Sequence, residues 1–132
     1  MPYLLDTNIC IYIIKRKPES ILAKFGSILP GEIGISMITV AELEYGASKS
    51  ENPEKNFSAL EKFFIPINLF DFGYSASKEY GLIRSQLEKA GLQIGPLDTL
   101  IAAHAISLNH ILVTNNEREF RRVARLKVEN WI

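Results

Sequence analysis

The chain has 132 residues, which fits one domain with a buried core, and we expect that domain to span residues 1–132. Hydrophobic residues make up 47% and charged residues 23%, which is the composition of a globular protein rather than a disordered one. The formal net charge is zero, so a nucleic-acid partner would need a local basic patch.

The cysteine content and the apolar runs exclude several further classes of protein. A single cysteine, Cys10, excludes an internal disulfide and a cysteine-cluster zinc site. The first residues lead directly into a strand pattern without the basic and apolar regions of a signal peptide. No apolar run reaches the length of a membrane span. We therefore expect a cytoplasmic protein that does not act at a membrane.

Short apolar runs alternate with helical patterns along the chain. Strands are expected at residues 3–5, 33–36, 67–72 and 111–114, followed by a last edge strand at 126–128. Helices are expected after Asp6, from about Pro18 as a first-turn residue, from Thr39, at 54–64, at 75–90, at 97–108 and around Glu119. This alternation indicates an α/β fold with a central parallel β-sheet flanked by α-helices on both faces.

Acidic or amide side chains lie at or shortly beyond the ends of these strands. Asp6 ends the first strand, Glu42 lies six residues past the second, Asp98 opens the helix before the fourth, and Asn116 and Glu119 follow the fourth. Ligands of open α/β sheets bind outside the carboxyl ends of the strands. Each side chain also has a structural explanation: Asp6 as an N-cap, Glu42 in a capping box with Thr39, Asp98 at a helix dipole and Asn116 in a turn.

Three converging carboxylates would need a cation. Two unit charges about 6 Å apart repel by roughly 3 kcal/mol at an effective dielectric constant of about 20. Oxygen ligands without cysteine or histidine suit Mg²⁺ or Mn²⁺. Carboxylates that hold such ions with open coordination positions form sites for phosphoryl chemistry.

Four stretches, taken together, resemble a known family. They are Leu4-Leu5-Asp6-Thr7-Asn8, Thr39-Val40-Ala41-Glu42-Leu43-x-Tyr45-Gly46, Ile94-Gly95-Pro96-Leu97-Asp98-x-x-Ile101-Ala102-x-His104-Ala105 and Val113-Thr114-Asn115-Asn116-x-x-Glu119-Phe120. Their order and spacing resemble the PIN-domain ribonucleases and, within them, the VapC toxins of bacterial toxin–antitoxin pairs. The similarity covers essentially the whole chain. It implies a PIN-like fold and a Mg²⁺-dependent endoribonuclease, with tRNA, and the anticodon loop of initiator tRNA, as the implied substrate.

The resemblance also implies site residues and partners. Asp6, Glu42 and Asp98 would form the acidic core that binds one or two metal ions, and Asn116 stands where many PIN domains carry a fourth acid. Either Asn116 serves as a neutral ligand or holds a water, or Glu119 compensates. The implied partners are a VapB-like antitoxin and a second copy of the chain in a homodimer within a larger complex. DNA would be contacted only through the antitoxin.

Several other residues admit two interpretations. We expect His104 to be packed or hydrogen-bonded and His110 to be exposed in a turn. The basic residues at 15–17 and 118–127 form either an RNA-backbone surface or solvated helix faces. Tyr45, Tyr80 and the phenylalanines of the 54–64 helix pack in the core or form a hydrophobic groove. The resemblance implies a groove that holds the tail of the antitoxin.

Two alternatives to the ribonuclease remain open. A non-catalytic PIN-like module that binds RNA or protein would keep the fold, with Asn116 marking the loss of activity. A phosphatase or receiver-type domain also places acids at strand ends. The haloacid-dehalogenase type of phosphatase needs Asp-x-Asp after the first strand, where this chain has Asp6-Thr7-Asn8, and this difference disfavours it.

Overall fold

The computed structural model describes residues 2–132 and has a sheet of five short strands. The strands are β1 (Tyr3–Leu5), β2 (Ile33–Ser36), β3 (Asn68–Phe70), β4 (Ile111–Val113) and β5 (Val128–Glu129). The helices are α1 (Thr7–Lys15), α2 (Glu19–Ser27), α3 (Met37–Ser48), α4 (Pro53–Phe64), α5 (Tyr74–Ala90), α6 (Pro96–Leu108) and α7 (Glu117–Phe120), and a 3-10 turn spans Pro30–Glu32. All strand pairs are parallel, so the predicted α/β fold is confirmed.

Neighbouring residues of the central strand β1 face opposite sides of the sheet, as the two-residue period of a strand requires. Leu4 packs in one core with Ile83 of α5 and residues of α6. Leu5 packs in the other core with Ile9 of α1 and residues of α3. Both leucines are completely buried, and β4 divides its side chains in the same way. Helices therefore cover both faces of the sheet, as the alternating pattern predicted.

The order of the strands, β3-β2-β1-β4-β5, determines where a ligand site can form. From β1 the chain proceeds outward on one side to β2 and β3, and then returns to the other side to form β4 and β5. The direction of the connections therefore reverses between β1 and β4. In open α/β sheets the crevice at such a switch point, outside the strand carboxyl ends, is where ligands bind. Asp6 and Thr114 are the first residues past these two strands.

Some predicted boundaries are wrong, most importantly the start of the third helix. Helix α3 begins at Met37 rather than at Thr39, because Ser36 caps it by accepting a hydrogen bond from the Ile38 amide (3.0 Å). The capping box proposed for Glu42 is therefore wrong, and Thr39 lies buried in the first turn. Strand β3 is shorter than predicted. The last strand lies at Val128–Glu129 instead of 126–128, since these two residues pair with the last two residues of β4.

The two histidines differ from each other in their surroundings. His104 is buried and hydrogen-bonded, as expected. His110 is half-buried rather than exposed, because its ring packs edge-on against Phe70 at a centroid distance of 5.3 Å. Among residues 2–132 no helix is long and apolar enough to cross a membrane.

Candidate active site

Asp6 ties the carboxyl ends of β1 and β4 together. Its side chain is only 5% exposed, and Oδ1 accepts a hydrogen bond from the Ile9 amide (2.9 Å), which makes Asp6 the N-cap of α1. Oδ2 accepts a hydrogen bond from the hydroxyl of Thr114. Burial raises the pKa of Asp6, the hydrogen bonds from Thr114 and Ile9 oppose that rise, and the charge of Glu42 adds to it. The predicted capping role is confirmed, and the same carboxylate also lies at the switch point.

Glu42 is directed toward the same edge of the sheet. It is half-buried on α3, and its Oε1 accepts a hydrogen bond from the hydroxyl of Thr7 (2.8 Å). Thr7 is the first residue of α1, directly after Asp6. The side chain of Glu42 therefore points across to α1 instead of back to the start of its own helix.

Asp98 lies in the first turn of α6 and lacks the hydrogen bonds that stabilise Asp6. Burial, followed in order of size by the charges of Glu119, Asp6 and Glu42, raises the pKa of this carboxyl to about 6. Within residues 2–132, no group donates a hydrogen bond to its side chain. Asp98 is therefore a carboxylate in the field of three other acids with no compensating partner from the protein.

Glu119 is the acid with the largest electrostatic effect on Asp98. One of its oxygens accepts a hydrogen bond from the Gly95 amide (3.3 Å), just before α6, and the other accepts one from the side-chain amide of Asn116. Asn116 is exposed and precedes α7, but its side chain makes no capping hydrogen bond. The fourth negative charge near Asp98 thus comes from Glu119, and Asn116 is bonded to it.

A divalent cation at this edge of the sheet would take oxygen ligands from these carboxylates. Within residues 2–132, no three Asp, Glu, His or Cys side chains converge into a ready-made metal cage. The threonine hydroxyls hold Asp6 and Glu42 in place, and the like charges repel one another. Mg²⁺ is usually held by only one or two carboxylates and keeps several waters. The donor set, with oxygen ligands from Asp6 and Asp98, fits a hydrated ion of this kind.

Two residues that support the carboxylates, Thr7 and Thr114, were not identified as functional from the sequence. Both stand inside the motifs, adjacent to Asp6 in one case and to the Asn115-Asn116 turn in the other. Thr114 is completely buried and also accepts a hydrogen bond from the Asn116 amide (3.0 Å). A buried threonine directly past an apolar strand was the available signal, because buried hydroxyls need hydrogen-bond partners.

Three of the basic residues near α7 contact acceptors within the protein. Arg121 pairs with Glu117 (2.8 Å), Arg122 donates to the Gln93 carbonyl (2.9 Å), and Arg125 pairs with Glu79. These contacts are exposed, and exposed ion pairs are weak. The RNA-backbone surface predicted for residues 118–127 stays a prediction.

A groove of about 340 Å³ lies between α1, α3 and α4 and reaches Glu42. Its lining is aliphatic and polar rather than aromatic: Ile11, Ile14, Lys15, Glu42, Leu43, Gly46, Ala47, Ser50, Asn56, Ala59 and Leu60. Tyr45 is 65% exposed outside this lining, and Tyr80 belongs to α5. Of the two interpretations, core packing is confirmed for Tyr80 and for the phenylalanines of α4, whereas Tyr45 does neither, and a groove for the antitoxin stays a prediction.

Comparison with known proteins places this geometry in a family. The model of the PIN domain family matches residues 3–126. Ribonuclease VapC2 of Haemophilus influenzae is 48% identical over 132 residues, covering 100% of this chain and 99% of that protein. The tRNA(fMet)-specific endonuclease VapC of Shigella flexneri is 44% identical, covering 99% of this chain and 98% of that protein.

Solved structures of VapBC complexes contain chains with the same fold as this one. The crystal structure of VapBC2 from Rickettsia felis, bound to a DNA fragment from their promoter, contains a chain that superposes with a TM-score of 0.93 at 45% identity, covering 100% of both chains. The resemblance inferred from the four motifs is thereby confirmed. The chain belongs to the PIN domain family and, within it, to the VapC ribonucleases.

Proposed function

We propose that this chain is the Mg²⁺-dependent endoribonuclease toxin of a toxin–antitoxin pair and hydrolyses RNA phosphodiester bonds. The observation that supports this most strongly is Asp98, a carboxylate with a pKa of about 6 that faces the charges of Glu119, Asp6 and Glu42 without a donor of its own. An assembly of repelling acids at a switch point is costly unless a cation binds there. The names of the similar ribonucleases support the same activity.

Each acidic side chain would have a separate role in this reaction. Asp6 and Asp98 would hold the ion, which could equally be Mn²⁺, and Glu42 would complete its ligands or orient the attacking water. Such an ion supplies positive charge at the scissile phosphate and makes water a better nucleophile. Thr114 and Thr7 fix the carboxylates of Asp6 and Glu42 through their hydroxyls. Water would attack in line, and the chain would form no covalent intermediate.

The substrate we propose is tRNA, with the anticodon loop of initiator tRNA as the cleaved segment. The Shigella relative carries the name of a tRNA(fMet)-specific endonuclease and is 44% identical to this chain. An unpaired loop can bring its backbone into an acidic crevice more readily than a duplex can. End-mapping of cellular RNA after brief induction of the chain would identify the cleaved phosphodiester bond.

The sharpest test of this proposal is Glu42→Gln. Glutamine keeps an oxygen that accepts the hydrogen bond of Thr7, so the metal-free fold should be unchanged within about 1 kcal/mol. The negative charge is lost, and Mg²⁺-dependent cleavage should fall by roughly two or more orders of magnitude. Glu44→Gln is the matched control, since this exposed acid lies on the same helix and its loss should leave cleavage unchanged.

Two outcomes would contradict the proposal. Wild-type cleavage by a folded Glu42→Gln protein would remove Glu42 from the site. A wild-type protein that binds RNA or a partner but shows no metal-dependent cleavage would instead favour the non-catalytic module. In cells, Asp6→Ala should relieve the growth arrest that expression causes, at equal abundance of the two proteins.

We further propose that a VapB-like antitoxin occupies the groove between α1, α3 and α4 and inserts a basic side chain at the acids. The solved relatives include VapBC complexes, and the groove joins an aliphatic wall to Glu42. An arginine can pair with carboxylates through two parallel hydrogen bonds and would compete with the metal. Two such toxins would form a homodimer in a larger complex that contacts DNA through the antitoxin.

A bulky side chain in the groove tests this partner. Ala59 lines the groove, whereas its neighbour Ser58 is exposed outside it. Ala59→Trp should weaken binding of the antitoxin at least tenfold and leave cleavage by the free toxin intact, and Ser58→Trp should do neither. Undiminished cleavage in a stoichiometric complex would argue against inhibition by blockade.

A further inference from the structure

His104 is a buried polar residue that the proposed chemistry does not use. It lies on α6, six residues past Asp98, and is 1% exposed. Its Nδ1 lies 2.8 Å from Oγ of Ser36, and its ring packs edge-on against Phe72 at 5.2 Å. Apart from His104, the buried side chains of α6 are apolar, except for Thr99, which bonds back to the Gly95 carbonyl beside its own helix. His104 is thus the buried polar connection of α6 to another element.

The hydrogen bonds around Ser36 assign the tautomer of His104. Oγ of Ser36 already accepts a hydrogen bond from the Ile38 amide, so its hydroxyl hydrogen is available to donate. The backbone of Asp71 accepts a hydrogen bond from the other side of the ring, which places the proton of the neutral ring on Nε2 and leaves Nδ1 to accept from Ser36. Burial lowers the pKa of His104, and the hydrogen bond to the backbone of Asp71 raises it by less. The ring is therefore neutral at pH 7.

Ser36 connects this contact to the acidic site. It is the last residue of β2 and the N-cap of α3, the helix that carries Glu42. Helix α6 carries Asp98. We propose that His104 is a positioning residue: its hydrogen bond with Ser36 fixes the start of α3 against α6 and so sets the placement of Glu42 relative to Asp98. The effect on metal binding rests on the proposed function, whereas the effect on the start of α3 does not.

A set of three variants tests the inference. His104→Leu keeps most of the side-chain volume but removes the acceptor, and Ser36→Ala removes the donor. His104→Asn places an amide oxygen near the position of Nδ1 and can still accept from Ser36. Mutation of groups that orient metal ligands typically lowers metal affinity by roughly 10- to 100-fold. Calorimetric titration of the metal-free protein with Mn²⁺ should therefore show at least a tenfold loss for His104→Leu and Ser36→Ala, and recovery to within about threefold for His104→Asn.

Amide hydrogen exchange provides a measurement that does not depend on metal. The amides of the first turn of α3 should exchange at least tenfold faster in His104→Leu and Ser36→Ala, while those of α4 should keep the wild-type rate. Ser36→Ala also removes the hydrogen bond that caps α3, so the double variant should exchange no faster than Ser36→Ala alone, because the bond to His104 is already lost in that variant. Should His104→Leu fail to fold, His104→Gln takes its place, because its amide lies near the position of Nε2 rather than Nδ1 and does not reach Ser36.

The inference is overturned if exchange at the start of α3 is unchanged in His104→Leu, or if His104→Leu speeds that exchange as much in the Ser36→Ala background as in the wild type. It is also overturned if His104→Asn and His104→Leu lose metal affinity equally. A wild-type protein that binds no divalent cation would refute the proposed function instead, and the exchange measurement would still decide the role of His104.

Discussion

Replacement of Asp98 by asparagine should make the metal-free protein more stable at neutral pH. The pKa of this carboxyl rises from its ordinary value of 3.8 to about 6, because it is partly buried among Glu119, Asp6 and Glu42. At roughly 1.4 kcal/mol per pKa unit, the ionised form would cost at most about 3 kcal/mol. Partial exposure screens these charges and reduces the figure to roughly 1–2 kcal/mol. The helix dipole favours an anion in this first turn and offsets roughly another 0.5 kcal/mol. A net gain of about 1 kcal/mol is expected.

The difference in unfolding free energy between the wild type and Asp98→Asn should depend on pH. The pKa of Asp98 is higher in the folded state than in the unfolded state, so the folded protein holds the proton between pH 3.8 and about 6, where the unfolded chain releases it. Stability of the wild type should therefore fall as the pH rises through that window, and the cost is complete above it. The advantage of Asp98→Asn should be absent below the window and full at neutral pH.

The assay is urea unfolding of both proteins across this pH range, first in chelator and then in Mg²⁺. Saturating Mg²⁺ should stabilise the wild type by about 2.7 kcal/mol at a hundredfold excess over its Kd and stabilise Asp98→Asn much less. Glu61→Gln, which removes an exposed charge from α4, should show neither effect. A variant advantage that is the same below pH 3.8 and at neutral pH, or equal stabilisation of both proteins by Mg²⁺, would refute the reasoning.

Two further substitutions, one beside Asp6 and one in β2, test the contacts that support the site. Thr114→Val removes the hydroxyl that donates to the buried Asp6, so unfolding experiments should show a loss of roughly 1–3 kcal/mol and calorimetry a weaker affinity for Mg²⁺; Thr114→Ser should retain most of both. Gly34→Ala would place a Cβ 2.3 Å from the ring of Phe70 and should cost roughly 1–3 kcal/mol in the same experiments. Gly26→Ala, with no atom within 4 Å of its new Cβ, should be neutral or stabilising by up to about 1 kcal/mol. Equal melting temperatures for Gly34→Ala and Gly26→Ala would contradict the account of the sheet.

The strands and the order of the acids could be predicted because both follow from local patterns. Tyr3–Leu5 and Ile33–Ser36 were predicted with their observed bounds, since an apolar run of that length bounded by polar residues admits few alternatives. The motifs that place Asp6, Glu42 and Asp98 were likewise visible, and the family they indicated was confirmed.

What could not be predicted depends on contacts between residues that are distant in sequence. Ser36 and Thr39 are both good caps, and only the position of Ser36 at the end of β2 decides which one starts α3. The hydrogen bond that turns Glu42 toward Thr7 spans 35 positions. His110 is half-buried because Phe70, on another strand, packs against it. Such pairings are set by the packing of the sheet and leave no periodicity in the sequence.

The position of β1 between β2 and β4 has a consequence for the synthesis of the chain. The hydroxyl that fixes Asp6 belongs to Thr114, 108 positions later, and β4 completes the central part of the sheet. A ribosome releases the N-terminal segment first, so the acidic crevice cannot assemble until β4 and Thr114 have emerged. A partly made chain therefore lacks the nuclease site that we propose. The residues that line the groove between α1, α3 and α4 end at Leu60, so the binding surface that we propose for the antitoxin is synthesised before the proposed nuclease site.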